Sequence, residues 1–238
     1  MAFILALAAG FPGFTFAETV KEDITVQING VDIKGEANHW VPGKVWVDAA
    51  AYAETLGLDY KFSSKKKAFT INGETLTVKM FKGKPTVHIR AITDATGAEN
   101  LDWDQKAGLA YVLDLPDGSI ALEGTDDVYA PGVPGMGQHW GMPTELPTGP
   151  IFGVEQGRLV FIEQMISQGD FVNGKNHLNI PGMKGLPSPP VEHTDIEYLK
   201  AGHPGFEIAH FDIHHYFVTH EEHLKFSPVE SGETGHGH

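Results

Sequence analysis

The sequence predicts an α+β N-terminal repeat module followed by a mainly β C-terminal domain, built as a small barrel or a sandwich. Three observations carry this. A pattern of about forty residues occurs twice between residues 44 and 113. Beyond residue 135 the chain is rich in Gly and Pro, and its apolar runs alternate with the period of two that strands require. Eleven of the thirteen histidines lie after residue 138, so the two halves differ in chemistry as well as in pattern.

Residues 1–17 have the shape of a secretory h-region and cleavage site: an apolar core, Pro12-Gly13, then Thr15-Phe16-Ala17. The expectation is a signal-peptide-like segment and an extracellular or cell-envelope location; a hydrophobic strand or helix of the mature fold is the other reading. Pro12 breaks the apolar run before it is long enough to span a bilayer, so no transmembrane span is expected in the mature chain.

Ile24-Thr-Val-Gln-Ile28 alternates as a strand, and Asn29-Gly30 suits its turn. The repeat follows. Lys44–Gly57 aligns with Lys84–Gly97, and each copy continues through an Asp-aromatic pair, Asp59-Tyr60 and Asp102-Trp103. Each then has a lysine-bearing turn and an apolar strand, Ala68–Ile71 and Leu109–Leu113. The unit reads as a short strand, a helix stopped by glycine in a left-handed cap, and a hairpin. Ala49–Leu56 has high helix propensity, and Asp48 stands where an N-cap is wanted.

This pattern, from Ile24 through Val45-Trp-Val47, Leu56-Gly57 and Asp59-Tyr60 to Leu113, resembles the copper amine oxidase N-terminal-like domain over residues 20–115. The resemblance implies an attachment or accessory module of secreted and cell-envelope proteins. It implies neither copper nor amine oxidation, because nothing here matches the quinone-forming tyrosine and copper histidines of the oxidases' catalytic domain.

Residues 116–135, rich in turn-formers and acids, read as a linker or an ordered surface excursion. The His-rich β domain is expected over 136–226 and a flexible tail over 227–238, whose Gly-His-Gly-His ending could bind metal weakly. Within the domain, Arg158–Met165 and His193–Leu199 read as strands, and a long strand spans Glu207–Thr219.

In that last strand His210, Asp212, His214 and Tyr216 share one face, while Phe211, Ile213, His215 and Phe217 share the other. The apolar face suits a core, with His215 as a hydrogen-bonded core histidine. The other carries two imidazoles around a carboxylate, a donor set for zinc, copper or iron. Glu163 sits on a strand face with Leu159, Phe161 and Met165. If that face is buried, the carboxylate must be paired, protonated or coordinating; if the opposite face is the core, it meets solvent. His139, between glycines in Met136–Met142, and His193, opening a strand, complete the candidate metal ligands: His139, Glu163, His193, His210, Asp212 and His214. Along a straight strand His210 and His214 are about 13 Å apart, at about 3.4 Å per residue. One ion therefore takes adjacent groups from this strand, with His139, His193 or Glu163 added.

The segments Gly137–Trp140, Gly149–Gly153, Phe161–Glu163, His193–Asp195, His203-Pro-Gly-Phe-Glu207 and His210–His214 also resemble a family of secreted bacterial domains of unknown function, over residues 129–219. That resemblance implies one coherent β domain and oligomerisation, and supplies no reaction. Cupins differ, since they pair His-x-His with a later Glu in a Gly-rich motif.

A formal charge of −14 argues against nucleic-acid binding, and Lys65-Lys66-Lys67 reads as a solvated turn. Without cysteine there are no disulfides or thiolate ligands, so any metal is held by His, Asp, Glu or backbone oxygen. The expected function is an exported or cell-surface protein, homo-oligomeric, whose C-terminal domain binds a divalent metal. A metal-dependent enzyme acting on a small molecule and a self-assembling subunit of a ring or filament are the alternatives.

Overall fold

The computed structural model describes residues 20–183, 185–203 and 206–227. The signal-peptide-like segment and all of the tail except Ser227 lie outside the described residues. In chain order the first half holds β1 (Thr25–Ile28), β2 (Val31–Asp32), β3 (His39–Val41), β4 (Lys44–Asp48), α1 (Ala49–Thr55), β5 (Tyr60–Ser63), β6 (Ala68–Ile71) and β7 (Glu74–Thr77). It continues with β8 (Lys79–Phe81), β9 (Lys84–His88), α2 (Ile89–Thr96), β10 (Asn100–Asp104) and β11 (Leu109–Leu113). The second half holds β12 (Ile120–Ala121), β13 (Gln138–Gly141), β14 (Ile151–Glu155), β15 (Arg158–Ser167), α3 (Gln168–Val172), β16 (His193–Leu199), β17 (His210–Tyr216) and α4 (His220–His223).

The chain is mainly β, including its first half. There the helices are of seven and eight residues, so the weight falls on strands rather than on an α+β balance. Three sheets form it, ordered β10-β11-β1-β2, β3-β4-β9-β8 and β5-β6-β7. Local chemistry sets the helix ends. The Asp48 side chain accepts from the Ala51 amide at 3.3 Å to open α1, and Gly97, at φ +84°, closes α2 in the left-handed conformation. The apolar faces meet in one core that includes Ile28, Val47, Tyr52, Phe69, Val87 and Ile92.

The second half is a single six-stranded antiparallel sheet, ordered β12-β13-β14-β15-β17-β16 and curled as a half-barrel. It is not the closed barrel or two-sheet sandwich that the turn-rich sequence suggests; β12 and β16 remain as edges. The stretch 116–135 is not a mere spacer, because β12 within it pairs with β13. Tyr111 and Leu113 of β11 share a buried cluster with Trp140, Phe152 and Leu159, and the Leu159 amide donates to the Tyr111 hydroxyl at 3.1 Å. The two halves are therefore packed against each other. Among the described residues no helix is long and apolar enough to cross a membrane.

Burial on β17 inverts the expected sense of the strand. His210, Asp212, His214 and Tyr216 are each 0% exposed, whereas Phe211, Ile213 and His215 are only half-buried. His215 is tied by its ring nitrogens to Thr194 and Gln164, each at 3.1 Å, on the outer face. The imidazole face, not the apolar one, is turned inward.

Candidate metal centre

Strand register brings the inward groups together. Glu163 of β15 pairs directly with His214 of β17, which pairs on its other side with Asp195 of β16; Asp212 lies between Met165 and Glu197. His139 of β13 is separated from this row by Gly153 and Phe161. A Cβ at Gly153 would stand 2.2 Å from the Phe161 ring, so only glycine lets that ring lie across β14. There it meets His139 and His214 edge-on, at centroid distances of 5.7 and 4.8 Å, and forms an apolar floor to the site.

Two buried triads result, each of two imidazoles and one carboxylate: His139, Glu163 and His214, and His203, His210 and Asp212. In the first, His139 Nε2 lies 3.6 Å from Glu163 Oε2 and His214 Nε2 lies 3.3 Å from Glu163 Oε1. In the second, Asp212 lies 3.8 Å from His203 Nε2 and 2.9 Å from His210 Nε2. Ligands bound at about 2.0–2.1 Å around a tetrahedral ion stand about 3.3 Å apart, so this spread suits coordination. His210 and His214 fall in different triads, as their separation along a strand requires. The triads are neighbours on β17, whose His214 belongs to one and whose Asp212 belongs to the other.

The facing atoms lack ordinary partners. His139 Nε2, His214 Nε2 and both oxygens of Glu163 make no well-formed hydrogen bond, while His210 Nε2 meets Asp212 Oδ1 at 2.9 Å. Each such buried group costs about 1–3 kcal/mol when unsatisfied. The far sides of two rings are, by contrast, hydrogen-bonded. His139 Nδ1 donates to Glu123 Oε1 at 2.7 Å and His210 Nδ1 donates to the Ile208 carbonyl at 2.6 Å, whereas His214 Nδ1 has only Glu197 Oε2 at 3.6 Å and no hydrogen bond. A proton held at Nδ1 leaves the Nε2 lone pair directed into the site, the tautomer and support that metal-binding histidines use.

Electrostatics differ from group to group. Burial, then the neighbouring Asp212, push the Glu163 carboxyl well above the usual carboxylate range. Burial takes His214 down to about 3, so it stays the free base that a metal requires. For Glu123 burial acts upward, but the hydrogen bonds from His139 outweigh it and hold the carboxyl low. Asp212 is likewise held below its ordinary value, the histidines around it outweighing burial, and burial of His210 is outweighed by Asp212 and the Ile208 carbonyl, which raise it.

His193, expected among the same ligands, does not join either triad. It lies with Asp195, His220 and His223 in a third group nearer the rim. Sequence reasoning left His203 out of the ligand set, and missed Glu123 and Glu197. The alternation His193-Asp195-Glu197 was a signal for the last of these, since it puts all three on one face. Nothing local marks Glu123, sixteen residues before the histidine it supports.

No protein-family model matches this chain, and no curated protein matches it. A solved structure, that of a hypothetical protein from Thermus thermophilus, is similar over 40% of this chain and 91% of that one, at 23% identity and a TM-score of 0.37. A likeness that slight bears on neither fold nor site.

Proposed function

We propose that this chain is an exported or cell-surface divalent-metal-binding protein whose C-terminal sheet encloses a pair of transition-metal ions, one in each triad. The N-terminal half serves as its accessory or attachment module. The observation that carries the reading is the set of buried, unpartnered ligand atoms on β13, β15 and β17, all turned toward one another. Glu163 and Asp212 bring two carboxyl groups into contact with the imidazoles, so each triad offers a mixed nitrogen and oxygen donor set. Two imidazoles and a carboxylate suit zinc, copper or iron.

The test is elemental analysis of untagged protein, before and after chelator. About two equivalents of one metal are expected. His214→Ala should remove one equivalent, His210→Ala the other, and the double variant both. Unchanged stoichiometry in the double variant would refute the assignment.

One observation favours metal-dependent catalysis as a second reading. Three protein ligands per ion leave a coordination position for water or substrate, with Glu163 or Asp212 available as a base. Burial argues against it, since Glu163, His210, Asp212 and His214 are each 0% exposed. A self-assembling subunit is the third reading, supported by exposed apolar side chains such as Phe171, Ile196 and Tyr198 on the outer face.

A further inference from the structure

We propose that His193, Asp195, His220 and His223 form a separate, solvent-facing site for one divalent transition-metal ion. The site stands apart from the buried pair, and the proposal does not rest on it.

Two elements build the group. Strand β16 presents His193 and Asp195 on the same face, two residues apart. Helix α4, a single turn, presents His220 and His223 three residues apart and so on one side. The Thr219 hydroxyl fixes the start of that turn by accepting from the Glu222 amide at 3.3 Å. The three rings surround one oxygen: Asp195 Oδ2 lies 3.4 Å from His220 Nδ1, 3.5 Å from His223 Nε2 and 3.7 Å from His193 Nε2. One ligand atom from each of the four residues lies within 4.8 Å of all the others. Donors about 3.3 Å apart are what a tetrahedral ion with bonds of about 2.0–2.1 Å needs, so small rotations of side chains complete the shell.

Three observations point to an ion rather than to a hydrogen-bonded cluster. Both nitrogens of His193 are sealed from solvent and lack any hydrogen-bond partner. His223 is 4% exposed, and its Nε2 faces His220 Nδ1 at 2.8 Å, a contact that needs one of these nitrogens protonated and the other bare and that a shared cation would replace. Asp195 meets imidazoles alone; no Lys or Arg neutralises it among the described ion pairs. An ion has a way in, because a recess of about 210 Å³ is lined by Asp195, Glu197, His220, His223 and Leu224. Tyr216 divides this group from the inner triads. Its ring lies 4.8 Å from His193 and 4.3 Å from His223 on one side, and 5.3 Å from His214 on the other.

The experiment is equilibrium dialysis of the full chain against zinc, with elemental analysis, for wild type, for Asp195→Asn with His220→Gln, and for His210→Gln with His214→Gln. The first variant is isosteric at Asp195 and changes a histidine whose side chain is 62% exposed, and an unchanged near-ultraviolet spectrum would show its fold intact. Wild type should bind one equivalent more than that variant, and the inner variant should keep that equivalent. The terminal histidines His236 and His238 are common to all three proteins and cancel in the comparison. Equal stoichiometry in wild type and the Asp195 variant overturns the outer site while leaving the buried pair standing. One equivalent in wild type, lost with Asp195 and kept in the inner variant, establishes the outer site and removes the buried pair. No zinc bound by wild type overturns both.

Discussion

In the N-terminal half, buried polar groups are answered by the chain itself. Asn29 exchanges two hydrogen bonds with the backbone of Asp114, at 2.6 and 2.9 Å; Asp48 is satisfied by the Ala51 amide; Thr86 and Thr93 donate to nearby carbonyls. Among the described residues of that half, only the Trp46 indole is buried without a partner. The inward face of β13, β15 and β17 is the opposite case, with imidazoles and carboxylates sealed together and unanswered. One region holds everything its fold requires, while the other holds buried groups positioned to bind a metal ion. Metal affinity in such a region is also folding free energy.

The largest test of this contrast is to strip the metal. An ion present at about 1,000 times its dissociation constant adds about 4 kcal/mol, so chelation should lower the melting temperature by roughly 10 °C. Hydrogen exchange should quicken in β13–β17 and stay unchanged in β4–β9; equal loss of protection in both would break the comparison. Phe69→Ala, in the fully buried N-terminal core, is expected to cost about 3–5 kcal/mol whether or not metal is bound. A metal-dependent penalty would show that the halves are not independent.

A smaller effect is expected at the floor of the site. Gly153→Ala forces the Phe161 ring off β14 and should destabilise by about 1–3 kcal/mol while reducing metal content. Denaturant melts with parallel elemental analysis would read both, and an unaffected site would mean that Phe161 is not its floor.

The smallest effect lies at the junction. Burial raises Glu99 to about 7, although its carboxylate accepts from the Leu115 amide at 2.7 Å. A carboxyl whose folded value is raised binds its proton more tightly when folded. Its contribution is therefore fully present below the unfolded value and is lost as pH rises through about 7. Glu99→Gln keeps the acceptor and should gain about 1 kcal/mol at pH 8, after allowance for partial exposure, with no gain at pH 4.5. A gain independent of pH would assign the effect to packing.

Much of the N-terminal half was legible because its signals are local: Asp48 before an alanine run, Gly97 after a helix, Asn29-Gly30 between alternating strands. The site was legible in part. Alternation on β17 sorts its residues into two faces but does not say which face turns inward, and the ordinary preference for burying Phe211 and Ile213 points the wrong way. Histidines and acids can occupy a core when they share partners, and those partners come from strands distant in sequence. His214 meets Glu163 only because β15 and β17 are neighbours, a pairing that composition does not state. Glu163, on a face with Leu159, Phe161 and Met165, is the clearest sign in the sequence that a carboxyl group lies inside. His220 and His223, which resemble a solvated terminus, needed the folded chain to bring them to β16.

The curl of the second sheet also has a consequence in time. Glu163, His210, Asp212 and His214 are each 0% exposed, and β16 pairs with β17 along its whole length as the outermost strand. An ion held there departs only when that margin or a neighbouring loop peels away, so its residence is governed by the frequency of local opening rather than by bond strength alone. Such a protein would exchange its inner cargo slowly even with a strong competitor in the surrounding fluid, while its rim would equilibrate at once. One strand would then separate a fast pool of metal from a slow one.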